Sequence, residues 1–409
     1  LLISGKHLKY DNYYIKYEDT MISNMQSVQY WLKQFSKTHR IIAESLLNSL
    51  VYIKSSSLIM DLKEAILENE NKEIVSILPI RELEKNEQIF DLTDKTIPPK
   101  LQTSNQPLGS EAFISNLYTQ LNRKNKINFP LSNIKMGRKS IIISNSLDEM
   151  QKLSIKKLIL VDDLIGSGDR TKIYLETLYN HPTIKSWLSF GTLNIEVLAY
   201  MSTLQGENVV KKYIKNKKGI NLNILYSAPT IYDLVNFSDI KELCEAYCDK
   251  REKNPLGYGN SAVRVIFSHS APNNIPTILY RSKNKYRSKI EGITKLNKWD
   301  ALFPSRYVNS DYIYEIESKM KSLSKINKIK LIINNLSANS LHIKKLSRIL
   351  NLPQYEIRFI LKNLEKMGWV NSNNGVYTLT ELGNIEVGIQ SKGLKFIATN
   401  PEFYYPRKW

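Results

Sequence analysis

The chain is poor in cysteine and has no long apolar run. Its 409 residues include two cysteines, Cys244 and Cys248, too few for a disulfide framework and in keeping with a reducing cytoplasm. Their i, i+4 spacing puts both on one helix face. A metal pair there would need further Cys or nearby His, so buried apolar cysteine is expected and no metal site is assigned. No apolar stretch approaches the roughly 20 residues of a membrane span, and the N-terminus lacks a basic-then-apolar signal pattern. These absences exclude a disulfide-stapled secreted scaffold and a helical membrane-spanning protein. Leu1, rather than Met, opens the chain, which predicts that a few native residues precede it.

Positive charge is abundant. Lys and Arg number 58 against 39 Asp and Glu, a net charge of +19, which predicts attraction to a polyanion, most simply nucleic acid. A Lys- and Asn-rich composition with solvated lysines gives the same total, so location has to decide. Hydrophobic residues at 42% and charged residues at 24% are those of a globular protein, and the length predicts two or three domains.

After a polar, tyrosine-rich stretch (1–18), Met25, Val28, Trp31, Leu32 and Phe35 recur at helical steps. Two further runs, Ile41 to Ile53 and Leu58 to Leu67, continue the pattern. Residues 1–72 are therefore expected to form an N-terminal helical subdomain. From residue 73, strand-like runs alternate with helical ones: 73–81, 140–144, Leu158–Val161, Asn194–Tyr200, Asn221–Tyr226 and Val263–Ser268. That alternation predicts an α/β fold with a mostly parallel sheet, its ligand at the carboxyl ends of the strands. The loop 92–109 is long, and Ser110 is expected to cap a helix to Asn122.

The central strand carries the chemistry. Leu158 to Val161 reads as a strand buried on both faces, ended by Asp162 and Asp163. Gly166-Ser167-Gly168 then turns the backbone, and Tyr174, Leu175 and Leu178 share one face of the next helix. Adjacent carboxylates can accept hydrogen bonds from two sugar hydroxyls, and free amides at the helix start can hold a phosphate.

This arrangement resembles the phosphoribosyl diphosphate (PRPP) motif of type I phosphoribosyltransferases. The resemblance implies that Asp162 and Asp163 bind the ribose 2′- and 3′-hydroxyls, stabilise a cationic sugar in any reaction, and are the candidate catalytic pair. Gly166, Ser167, Gly168, Asp169, Arg170 and Thr171 would wrap the 5′-phosphate, and Mg2+ would arrive with a diphosphate. Asp169 and Arg170 depart from the family pattern, and a carboxylate facing a phosphate is repulsive, so Asp169 is expected either to turn away as a cap or to mark a pocket that takes no phosphate. Further on, Gly257-Tyr258-Gly259, then His269, Pro272, Asn273 and Asn274, then Trp299 and LFPSR (302–306) follow in an order similar to the phosphoribosyltransferase-like domain of bacterial conflict systems, including effectors encoded beside retron reverse transcriptases. The likeness covers roughly 20–306, and the domain is bounded at 73–306. His269 could serve as a general acid or base, but the favoured reading is structural, its ring bonded to a turn carbonyl, with Asn273 and Asn274 building that turn.

Residues 307–391 resemble a winged helix-turn-helix. Helix one is expected over Ile313–Asn334. Ile343, Leu346 and Leu350 line a second helix ended by Pro353, and Ile357, Ile360, Leu361 and Leu364 line a third stopped by Gly368. A hairpin turns at Asn373-Asn374-Gly375. Lys344, Lys345 and Arg348 on helix two, and Tyr355, Arg358 and Lys362 on helix three, are the candidate nucleic-acid contacts. Lys and Arg outnumber Asp and Glu by 15 to 8 over 307–409, although winged helices also serve protein contacts. An aromatic, basic tail (392–409) could stack on single-stranded bases or dock on a neighbouring domain.

The resemblances together imply a cytoplasmic effector of a retron-type anti-phage system. Its partners would be multicopy single-stranded DNA (msDNA) or structured RNA, a reverse transcriptase, and a PRPP- or nucleotide-like ligand. A PRPP-sensing regulator is the alternative, because the purine repressor of Gram-positive bacteria joins the same two modules in the opposite order. A salvage phosphoribosyltransferase is the third reading.

Overall fold

The computed structural model describes residues 25–68, 75–96, 141–142, 146–288, 297–322, 325–338, 340–350, 352 and 354–391. The expected helix 110–122, the segments 1–24 and 97–109, and the tail 392–409 lie outside them. The chain divides into two compact units, one formed by 30–233 with 237–309, the other chiefly by the residues from Ser310 onward. Among the described residues, no helix is long and apolar enough to cross a membrane.

The first unit is built on five parallel strands: β2 (Val75–Pro79), β3 (Ile141–Ile142), β4 (Lys157–Ile165), β5 (Asn194–Ser202) and β6 (Ile220–Ser227). They lie in the order β3-β2-β4-β5-β6, so β4 is central, pairing Leu158 with Ile195 and Ser76 with Leu158. Its continuous apolar run is explained by cover on both faces. Leu158 and Leu160 join one cluster with Tyr174, Leu175 and Leu178 of α5 (Asp169–Asn180), Ile184 and Leu188 of α6 (Pro182–Ser189), and Val210 of α7 (Leu204–Ile214). Each such side chain, fully buried, contributes on the order of 2 kcal/mol. Short α4 (Leu147–Lys152) precedes β4. The strand does not stop at the acids, because the ladder runs on through Leu164 and Ile165 against Met201 and Ser202.

The expected boundary at residue 72 is not where the chain divides. Helices α1 (Gln26–Leu32), α2 (Lys37–Asn48) and α3 (Ser55–Glu68) are present, but the run expected to stay helical to Ile53 ends in strand β1, Val51–Ile53. Val51, Tyr52 and Ile53 are β-branched or aromatic, and they pair in parallel with β7 (Val265–Phe267), more than 200 residues away. That pairing ties 30–68 into the α/β unit. Around it, Trp31, Phe35, Trp299 and Tyr247 of α8 (Phe237–Tyr247) stack edge-on or tilted, and Trp31 and Trp299 both donate to the Ile278 carbonyl of α9 (Thr277–Tyr280). Cys244 and Cys248 are buried and form no disulfide.

The second unit runs α10 (Ser310–Ser322), α11 (Lys325–Ala338), β8 (Leu341–His342), α12 (Ile343–Leu350), α13 (Gln354–Lys366), β9 (Val370–Asn373), β10 (Val376–Leu379) and α14 (Glu381–Ser391). The single helix expected over 313–334 is thus two. Residues 323–324, between them, lie outside the described residues. Ile343, Leu346, Leu350, Ile357, Ile360, Leu361 and Leu364 are all buried, as their spacing requires. The Gly368 amide bonds the Glu365 carbonyl and the Trp369 amide that of Leu364, closing α13. Asn374 and Gly375 both take positive φ (50° and 77°), the two-residue turn whose twist matches a hairpin. β8 adds to that hairpin, giving the antiparallel order β8-β10-β9. Pro353 lies outside the described residues.

Candidate functional site

β4 delivers Asp162 and Asp163 toward the carboxyl edge of the sheet, and His269, which follows β7 of the separate two-stranded sheet, reaches Asp163 there. Arg170, on the first turn of α5, reaches back to them. Its Nη2 donates to Asp162 Oδ1 at 2.5 Å and to the Leu164 carbonyl at 3.3 Å, and lies 3.7 Å from Asp163 Oδ1. The Asp162 side chain is fully buried, and its second oxygen, Oδ2, accepts no hydrogen bond. Asp163 Oδ1 accepts from the Leu164 amide at 2.8 Å, and Oδ2 lies 3.1 Å from His269 Nε2.

The two acids are driven apart electrostatically. Burial raises the Asp162 pKa to about 7, outweighing the Arg170 charge that lowers it. Burial pushes Asp163 up too, but the hydrogen bond and charge of His269, with the charge of Arg170, hold it well below the ordinary carboxylate range. Burial disfavours the charged form of Arg170, and the two aspartates more than offset this, so its pKa lies above its usual value. These directions agree: the guanidinium stays charged, and the firm negative charge of the pair sits on Asp163, while Asp162 is the acid that holds its proton more readily.

The glycine turn is closely packed. A Cβ on Gly166 would sit 2.1 Å from Asn274 Nδ2, and Asn274 is held there by its own bonds to Ser261 Oγ and the Tyr258 carbonyl. A Cβ on Gly259 would sit 2.7 Å from Ser167 Cβ. The space that the PRPP resemblance gives to a phosphate is thus lined at Gly166 by the Asn274 amide. Arg170 faces the acids. Asp169 has turned to accept from Ser167 Oγ at 2.9 Å, and Thr171 is buried. Asn273 and Asn274 build the turn as expected, Asn273 accepting from the Tyr258 amide at 2.8 Å.

His269 differs from expectation, because its ring nitrogens face side chains. Nε2 meets Asp163, and Nδ1 lies 2.9 Å from Ser55 Oγ at the start of α3. Ser55 was legible only as part of a serine run opening a helix, and nothing local joins it to His269. Among the described residues no group of three His, Cys, Asp or Glu side chains is placed to hold a metal. Arg170 lies where a divalent cation shared by the two acids would have to sit, so the pair as it stands does not fit Mg2+.

The sequence pattern of the PRTase-CE family matches residues 28–305, more than half of the chain. The chain belongs to the PRTase-CE family. It therefore carries a phosphoribosyltransferase-like effector domain, and the match starts within α1, before the expected boundary at residue 72. No curated protein and no solved structure matches the chain.

Beyond the PRTase-CE region, Lys344 of α12 and Arg358 and Lys362 of α13 are exposed, and Lys345 is half-buried. The side chains of Arg348 and Tyr355 lie outside those described. Phe359, half exposed at 52%, sits between Arg358 and Lys362 and is an outward aromatic that core-face periodicity did not single out.

Proposed function

We propose that this chain is the effector subunit of a retron-type anti-phage system. In this reading the PRTase-CE domain senses or acts on a PRPP- or nucleotide-like ligand. The C-terminal unit is a winged helix that holds msDNA beside a reverse transcriptase. The observation that carries the ligand half is the buried Asp162 Oδ2, which lacks a donor at the carboxyl end of the central strand. A ribose hydroxyl is the kind of group that would satisfy it. Arg170, its side chain 38% exposed, is the cation a ligand phosphate would engage, and doing so would draw it from Asp162. A site that must first be unlatched favours sensing over turnover. Magnesium would arrive only with a diphosphate ligand.

For the nucleic-acid half, the support is the helix–helix–strand–helix–helix–hairpin order together with outward Lys344, Arg358 and Lys362. The latched acids also fit a PRPP-sensing winged-helix regulator. Purification from native-like cells, with identification of what co-purifies, separates the two. A structured nucleic acid and a reverse transcriptase are expected; a bare chain that binds one palindromic duplex supports the regulator. Calorimetry with PRPP tests the ligand half, which fails if wild type gives no heat of binding.

A further inference from the structure

Three elements distant in sequence bring Ser55, His269 and Asp163 into one line. Ser55 opens α3, directly after β1; His269 follows β7; Asp163 lies in β4. Ser55 Oγ to His269 Nδ1 is 2.9 Å, and His269 Nε2 to Asp163 Oδ2 is 3.1 Å. The parallel pairing of β1 with β7 fixes the first distance, since it aligns the ends of the two strands.

Proton positions along the line follow from its charges. Asp163 as a carboxylate only accepts, so His269 donates to it from Nε2; in the neutral imidazole Nδ1 is then the unprotonated nitrogen and accepts from the Ser55 hydroxyl. Ser268 completes the order: its Oγ accepts from the Ser55 amide at 2.8 Å and lies 2.7 Å from Ser55 Oγ, to which it donates. Phe267 stacks on the imidazole at 5.2 Å between ring centres, and the Leu164 amide fixes the Asp163 carboxylate. Ser55, Ser268 and His269 all keep partial solvent access. A hydroxyl donating to an imidazole, itself oriented by a carboxylate, is the arrangement that activates a nucleophile, whatever the fold.

We propose that Ser55 is a nucleophile, with His269 as its general base and Asp163 as the group orienting His269, acting on a carboxylic ester. An ester carbonyl is favoured because attack on it forms a single oxyanion, which the first-turn amides that follow Ser55 in α3 can stabilise. Ser55 Oγ bonds to the carbonyl carbon as its proton passes to His269 Nδ1. The carbon–oxygen bond to the alcohol then breaks, and the alkoxide takes that proton. Water attacks the acyl-serine, gives a proton to His269, and releases the acid as Ser55 recovers its hydrogen. This activity is separate from ribose-phosphate recognition, with which it shares only Asp163.

The test is labelling of the full chain with a fluorophosphonate, which a nucleophilic serine attacks at phosphorus with loss of fluoride. One fluoride per chain and an adduct on Ser55 are expected. Ser55→Ala should lose the adduct, His269→Gln should slow labelling by about 100-fold or more, and Ser56→Ala should label as wild type does. Absence of an adduct at Ser55, or an unchanged rate in His269→Gln, overturns the proposal. Should His269→Gln fail to fold, Ser55→Cys decides. Its thiol should react with iodoacetamide at pH 7 about tenfold faster than that of Ser56→Cys, and an equal rate overturns the proposal. PRPP calorimetry on wild type is independent of these readouts, so failed labelling with intact binding rejects the nucleophile alone, and the reverse rejects the ribose reading alone.

Discussion

The two units use charged side chains in opposite ways. At the carboxyl edge of the parallel sheet, Asp162, Asp163, Arg170 and His269 face one another, and each is held by the next at hydrogen-bonding or ion-pairing distance. On α12 and α13, Lys344, Arg358 and Lys362 face outward from an apolar stripe. A charge turned inward has lost water and must be matched in place, so each member depends on its partners. A charge turned outward keeps its water, contributes little to folding, and acts through the field it adds to its neighbours. Chemistry is therefore expected of the first group and electrostatic attraction of the second, and the two should respond differently to substitution.

The largest difference should come from arginine removal. Arg170→Ala leaves Asp162 fully buried without its cation, and unfolding in urea should show a loss of about 3 kcal/mol, the partial exposure of Arg170 keeping the cost below the upper end for a buried pair. Arg358→Ala should stay within about 0.5 kcal/mol of wild type. Equal losses would break the comparison. Next in size is the packed turn. Gly166→Ala puts a methyl against the Asn274 amide and should cost about 2 kcal/mol. Asn274→Gly in the same chain should recover part of that, and additive losses in the double mutant would show that the two do not touch.

The outward group was the more legible in sequence. Its stripe, Ile343-Leu346-Leu350 and Ile357-Ile360-Leu361-Leu364, is set by the 3.6-residue period, and Asn374-Gly375 states its turn locally. In the α/β unit, β4 and α5 were legible for the same reason, because Leu158–Val161 and Tyr174-Leu175-Leu178 are runs or periods within a few residues. The edge that carries the acids was not. Val51–Ile53 is a strand because of β7, more than 200 residues on. The partner of His269 is fixed by that pairing, and Arg170 turns to the acids because buried carboxylates need a cation. A motif can announce an acid pair and a glycine turn, but it cannot say that Asn274 fills the turn.

The outward group should act through salt. Arg358→Ala with Lys362→Ala should weaken duplex binding about tenfold at physiological salt and lower the slope of log affinity against log salt by about 2, measured by fluorescence anisotropy across a salt series, with stability unchanged. Unchanged affinity would assign this face to protein contact, where exposed Phe359 would be the first residue to test.

The smallest effect concerns pH, and it separates the two acids. In the folded chain Asp162 has its pKa raised to about 7, so between about pH 4 and 7 the folded state binds protons that the unfolded state has released. Stability from this group is complete below that window and falls as pH rises through it. Asp163 has its pKa lowered, so its contribution is present above about pH 4 and fades as pH falls below it. Asp162→Asn should flatten the wild-type decline between pH 4.5 and 7, a difference on the order of 1 kcal/mol because Asp163 and Arg170 share the charge. Asp163→Asn should keep that decline and lose most at neutral pH. Thermal melts at three pH values suffice. If the two variants behaved alike, the division of labour between neighbouring carboxylates would fail, and with it the reason to expect one to meet a ligand hydroxyl while the other orients His269.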